Sequence, residues 1–232
     1  LTKQFCAVTM KLTDDIAFVG YEGTDERLVG WKEDFDFSYK YPTESQKDAI
    51  KYLNKVISLK NKIVYVGGHS KGGNLALVAS MNVKFFYKFR IKKVFSFDGP
   101  GLRLNEVNVK KYDDIRKKYY HLIPDHSIVG ILLYDDGCYD VVKATRKDLF
   151  AHDIFNWVVD DISFERCTLS KLSTNLNESL DIWMRNHSDW EKEQIVCNFF
   201  DLLDRLGYKS IMEIIKIKNV LNIFKHFSEF DY

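Results

Sequence analysis

The sequence predicts an α/β fold: a mostly parallel sheet flanked by helices, with a helical C-terminal extension. Three observations carry it. Residues up to about 155 alternate β-prone runs with amphipathic stretches, several strand candidates run directly into Gly, Asp or Pro, and the texture turns helical from Leu169. The expected organisation is a core over residues 1–168 and a helical subdomain or cover over 169–232. The chain opens on Leu1 rather than Met, so the core is expected to lack some N-terminal residues.

Residues 5–10 and 16–21 are short β-prone runs around Thr13-Asp14-Asp15, which suits a hairpin turn. Thr43 and Gln46 form a capping box, and Ala49, Ile50, Leu53, Val56 and Ile57 recur at helical spacing behind it. Ile63-Val64-Tyr65-Val66 is continuously apolar, as expected of a strand buried on both faces. After two glycines, Leu75, Ala76, Ala79, Val83 and Phe86 make one helical stripe. Further strands are expected at 94–97, 119–123 and 139–142, and the loop after the last carries His152. In the C-terminal part, Leu176, Leu180, Trp183 and Met184 form one stripe, and Val196, Phe199, Phe200 and Leu203 another. Ser210 and Glu213 then cap a last apolar helix expected to reach about Phe227.

The 232 residues, 46% hydrophobic and 15% aromatic, suffice for a sizeable core and exclude a disordered or collagen-like chain. Lys and Arg total 34 against 33 acids, so no net field marks a nucleic-acid binder, and neutral or locally recognised substrates are favoured. Cys6, Cys138, Cys167 and Cys197 are widely spaced without a C-x-x-C pair, which fits a reducing, cytoplasmic setting. No apolar run reaches the roughly 18–20 residues of a transmembrane helix.

Gly68-His69-Ser70-Lys71-Gly72 matches G-x-S-x-G, the nucleophile elbow of the α/β-hydrolases. Its serine sits on a strained strand-to-helix turn, where side chains at Gly68 or Gly72 would clash. The flanking pattern of apolar strand and amphipathic helix is the context this motif requires. A serine hydroxyl needs a base, and the chain order nucleophile, acid, histidine puts that base downstream of Ser70. The order excludes His69, which is expected to pack beside the elbow. Of the later histidines only His152 sits in a loop following the last strand candidate, His121 lying inside a strand and His187 and His226 in the helical end, with His126 a second choice. The acid that orients the histidine could be Asp98 or Asp125, since both follow strands. An oxyanion hole needs two N–H donors: Lys71, directly after the nucleophile, and a loop after an earlier strand, for which Gly23-Thr24 is the candidate.

These residues, read in order, look familiar. Gly23-Thr24-Asp25, Gly30 to Asp34 (GWKED), Gly67 to Ala76 (GGHSKGGNLA), Phe97 to Gly101 (FDGPG), Ser127 to Gly130 (SIVG) and His152-Asp153 together resemble an uncharacterised bacterial branch of the α/β-hydrolases related to class 3 lipases. The resemblance spans about residues 5–157. It implies Ser70 as nucleophile, His152 as base, and Thr24 with Lys71 at the oxyanion hole. It also favours Asp98 over Asp125, because Asp98-Gly99-Pro100 resembles the Asp-Pro turn that supplies the acid in pancreatic-type lipases. One departure stands out: class 3 lipases usually carry Phe-Arg-Gly-Thr where this chain has Tyr21-Glu22-Gly23-Thr24, which reverses a charge near the site.

The expected activity is hydrolysis of an ester or thioester, lipase- or esterase-like, through an acyl-enzyme and without a cofactor. The rival reading is a non-catalytic binding or scaffold module on the same fold. His121, Asp125 and His126 match no common zinc spacing, so no metal is expected. The expected partner is a small acyl ester or lipid. The last helix mixes Ile211, Ile214, Ile215, Val220, Leu221 and Phe224 with Lys216, Lys218 and Lys225, a pattern that suits packing on a core, contact with a membrane surface, or a homo-oligomer.

Overall fold

The computed structural model describes residues 3–58, 63–103, 109–134, 136–214, 216, 218, 219 and 223. Six strands form one sheet in sequential order: β1 (Ala7–Lys11), β2 (Ile16–Tyr21), β3 (Ile63–His69), β4 (Ile91–Phe97), β5 (Tyr119–Pro124) and β6 (Asp140–Val142). β1 pairs antiparallel with β2 through the predicted hairpin, and every later pairing is parallel. This is an α/β-hydrolase-like fold.

Sequential order makes each parallel crossover step the same way, and right-handed crossovers then place their helices on one face. Accordingly α2 (Glu44–Ser58), α3 (Lys71–Asn82) and α4 (Val109–Arg116) line up side by side, α3 touching both neighbours. Their apolar stripes meet Val19, Val64, Val66 and Val94 in the main core, with Leu53, Ile57, Leu75 and Ala79 wholly buried there. The Thr43–Gln46 capping box forms, Thr43 N–H donating to Gln46 Oε1 at 2.9 Å.

One-sided helices correct the reading of β3 as buried on both faces. Val64 and Val66 face the helices and are buried, whereas Ile63 and Tyr65 are only partly covered. Partly exposed aromatics occupy the other face, where Phe95 lies near Phe97 and Tyr120. A second correction concerns the stripe through Phe86. α3 ends at Asn82, Val83 turns extended, and Phe86 falls in a separate 3-10 turn, Phe85–Arg90, where it is exposed.

The helix α1 (Leu28–Asp36) was not anticipated from periodicity; it is short and weakly amphipathic. α5 (Lys171–Asn186) and α6 (Asp189–Arg205) carry the expected C-terminal stripes. α6 packs against α1, and its Val196, Phe200 and Leu203 form a second core with Leu28, Trp31 and Tyr39. α7 (Ile211–Ile214) begins the predicted last helix; Ile215, Val220, Leu221, Phe224, Lys225 and Phe227 lie outside the described residues. Among the described residues no helix is long and apolar enough to cross a membrane.

Candidate active site

Ser70 stands between β3 and α3 at φ 56°, ψ −130°, in the left-handed half of backbone space that a side chain enters at a cost. Two close approaches keep the turn sharp. A Cβ on Gly68 would lie 2.4 Å from the Gly72 carbonyl, and one on Gly72 would lie 2.2 Å from the Tyr21 carbonyl oxygen. Glycine at both positions therefore lets the first turn of α3 press against the end of β2, beside the Gly23-Thr24 loop. Ser70 N–H also donates to Phe97 O at 2.9 Å, fastening the elbow to the end of β4.

Asp98 follows β4 directly and is fully buried, with φ 48°. Its Oδ1 accepts the Ser127 hydroxyl at 2.5 Å and Gly130 N–H at 3.0 Å. Its Oδ2 meets His152 Nδ1 at 2.6 Å. A carboxylate only accepts, so the imidazole carries its proton on Nδ1 and leaves Nε2 basic when neutral. Buried charges persist where hydrogen bonds surround them, and Ser127 and Gly130 supply these bonds.

His152 closes the 3-10 turn Leu149–His152, and two bonds hold that turn in place. Trp157 Nε1–H donates to Ala151 O at 2.9 Å, and Asn156 Nδ2–H donates to Phe150 O at 2.8 Å. His69 Nε2 lies 2.7 Å from His152 O, with the two rings 4.4 Å apart. Burial, and then the nearby His152 charge, push the His69 pKa down. Of the two neutral tautomers of His69, only the one with its proton on Nε2 can donate to that carbonyl.

In the loop after β2, Thr24 donates its hydroxyl to Asp34 Oδ2. Asp34 Oδ1 is covered and has no hydrogen-bond partner among the described residues. Burial raises the Asp34 pKa to about 7, against the lowering pull of Lys71 and Thr24. The Lys71 side chain is 1% exposed, its Nζ 2.6 Å from Glu33 Oε2 and 2.9 Å from Gln4 O. Glu33 Oε1 in turn accepts Ser45 N–H at 2.9 Å. Lys71 thus commits its ammonium to an ion pair, while its N–H opens α3, where helical N–H groups have no intrahelical acceptor.

Asp98 meets His152, His152 meets the elbow through His69, and Thr24, His69 and His152 line one cleft. Asp125 is elsewhere: its Oδ1 accepts Ala144 N–H at 3.2 Å at the end of β5. His121 is buried inside β5, and no cluster of metal-holding side chains occurs among the described residues. A cleft of about 350 Å³ opens beside Thr24, His69 and His152. Trp31, Ile128, Val129, Leu149, Phe150 and Met212 make it largely apolar, and His126 also lines it.

Sequence reasoning assigned no role to Glu33, Asp34 or Ser127, and expected His69 only to pack. The GWKED and SIVG stretches were visible as motifs. Their work was not, because Glu33 and Lys71 meet across 38 residues and Asp98 and Ser127 across 29.

A family model described as Mbeg1-like matches residues 1–201. Among solved structures, the crystal structure of M37 lipase is similar at 14% identity and a TM-score of 0.44, over 79% of this chain and 61% of that one. The chain therefore spans about three fifths of the length of that lipase. No curated protein matches.

Proposed function

From the premise that this chain belongs to the Mbeg1-like family, we propose that it is a serine hydrolase of uncharged acyl esters or thioesters, with Ser70, His152 and Asp98 as its triad. One observation carries the proposal: a fully buried Asp98 hydrogen-bonded at 2.6 Å to the imidazole of His152, on a turn that His69, the residue before Ser70, meets at 2.7 Å. In this reading His152 Nε2 takes the Ser70 proton as the alkoxide attacks the carbonyl carbon, and Asp98 stabilises the imidazolium that results. The N–H groups of Lys71 and Thr24 face the oxyanion, with the Thr24 hydroxyl anchored on Asp34. His152 then protonates the leaving group, and water attacks the acyl-enzyme by the same route in reverse. The apolar cleft favours an acyl chain over a charged group. Losing one oxyanion donor is expected to raise the barrier by about 3–4 kcal/mol.

The test is labelling with a fluorophosphonate probe, with the modified peptide mapped by mass spectrometry. Labelling of Ser70 that is lost in Ser70→Ala and His152→Ala supports the proposal. An unlabelled wild-type protein would point instead to a non-catalytic binding module.

A further inference from the structure

The end of the sheet opposite the elbow carries a cluster of exposed phenylalanines. The 3-10 turn Phe85–Arg90 exposes Phe85 at 82% and Phe89 at 76%, with Phe86 half exposed beside them. Soluble surfaces scatter such residues singly; three phenylalanines in one turn form a patch, and patches rimmed by polar groups mark contact surfaces. The turn is held from beneath. Tyr87 packs on the main core, and Arg90 Nη1–H donates to Ile57 O at 2.8 Å while its guanidinium lies over the Tyr87 and Phe89 rings. The phenylalanines are therefore presented by a fastened base.

The charge around them is mostly positive. Residues 84–93 hold five cations, Lys84, Lys88, Arg90, Lys92 and Lys93, and no acid, in a chain whose total is +1. Lys118, at the start of the neighbouring strand, adds a sixth and donates to Lys88 O at 3.0 Å. Burial and then the adjacent Lys92 depress the Lys118 pKa, with Lys88 adding to the effect; Asp114 acts the other way, and it pairs with Lys88 at 2.7 Å. Exposed aromatic rings within a cationic rim complement a bilayer with anionic headgroups, because rings enter the interface while lysine and arginine stems reach the phosphates.

We propose that Phe85, Phe86 and Phe89, with the surrounding lysines, dock this protein on anionic membrane surfaces. The proposal is independent of the hydrolase reading. It also fixes an orientation. Ser70 and Asp98 follow the C-terminal ends of β3 and β4, whereas Phe85–Arg90 precedes the N-terminal end of β4, roughly 20 Å away along the strand. A docked molecule holds its apolar cleft away from the bilayer, facing the aqueous phase.

Flotation with vesicles tests this, comparing phosphatidylcholine alone with phosphatidylcholine containing about 30% phosphatidylserine. The full chain is expected to float only with the anionic vesicles and to be released by high salt. Phe85→Ser/Phe89→Ser and Lys84→Glu/Lys92→Glu should each lower the bound fraction about tenfold or more, while fluorophosphonate labelling and circular dichroism stay unchanged. Binding that is absent, or that both double variants retain, overturns the proposal. So does concentration-dependent dimerisation abolished by the phenylalanine variant without vesicle binding, which would assign the patch to a second copy of the chain.

Discussion

His69 Nε2 donates to the main-chain oxygen of His152, 2.7 Å away, so the residue before the elbow serine holds the turn that carries the imidazole. This bond couples two segments 83 residues apart. His69→Ala should leave the fold intact and lower kcat/KM by about tenfold, the equivalent of one hydrogen bond of 1–1.5 kcal/mol. His69→Gln, which keeps a donor, should recover part of that loss. Steady-state hydrolysis of a p-nitrophenyl ester measures both, and equal rates for all three proteins would remove His69 from this role.

The two aspartates after strands are separable by the same assay. Asp98→Asn should reduce kcat on the order of 10⁴-fold, because an amide beside Nδ1 favours the wrong tautomer and cannot stabilise an imidazolium. Asp125→Asn, which alters a bond to Ala144 N–H, should stay within about threefold of wild type. The opposite ranking would transfer the acid role.

Asp34 makes stability depend on pH with a definite sign. Its pKa is about 7 in the folded protein against 3.8 for the free side chain. Below pH 3.8 both states are protonated and the group contributes nothing. Between about pH 4 and 7 the unfolded chain ionises while the folded one resists, so this carboxyl destabilises the fold progressively as pH rises. Asp34→Asn should therefore gain stability relative to wild type from pH 4 to 7, on the order of 1–3 kcal/mol once partial solvent contact is allowed for. Urea melts at pH 4.5 and pH 7.5 measure the difference, and a gap that shrinks as pH rises contradicts the assignment.

The Glu33–Lys71 pair is nearly inaccessible, at 3% and 1% side-chain exposure. Removing one partner leaves a buried charge, so Glu33→Ala and Lys71→Met should each cost about 3–5 kcal/mol. The double variant should cost less than the sum, because the surviving charge is gone too. Additive losses in denaturant melts would show that the two charges act independently.

Much of the core was legible in the sequence because its signals are local. Steric demand confines Gly-x-Ser-x-Gly to a strand–turn–helix, apolar period distinguishes α2 from β3, and the downstream order singled out His152. α1 escaped because its nine residues carry a weak apolar stripe, and Phe86 was misplaced because a stripe says nothing of where the chain leaves its helix.

The sequence by itself determined the order of the six strands, the elbow and the short list of residues beside it, since each depends on neighbours within a few positions. Only the tertiary structure decided between Asp98 and Asp125 as the neighbour of His152, gave His69 a bond to make, and buried Lys71 against Glu33. Those outcomes depend on which strand ends and loops converge, and convergence is set by sheet register and one-sided helix packing, summed over the whole chain.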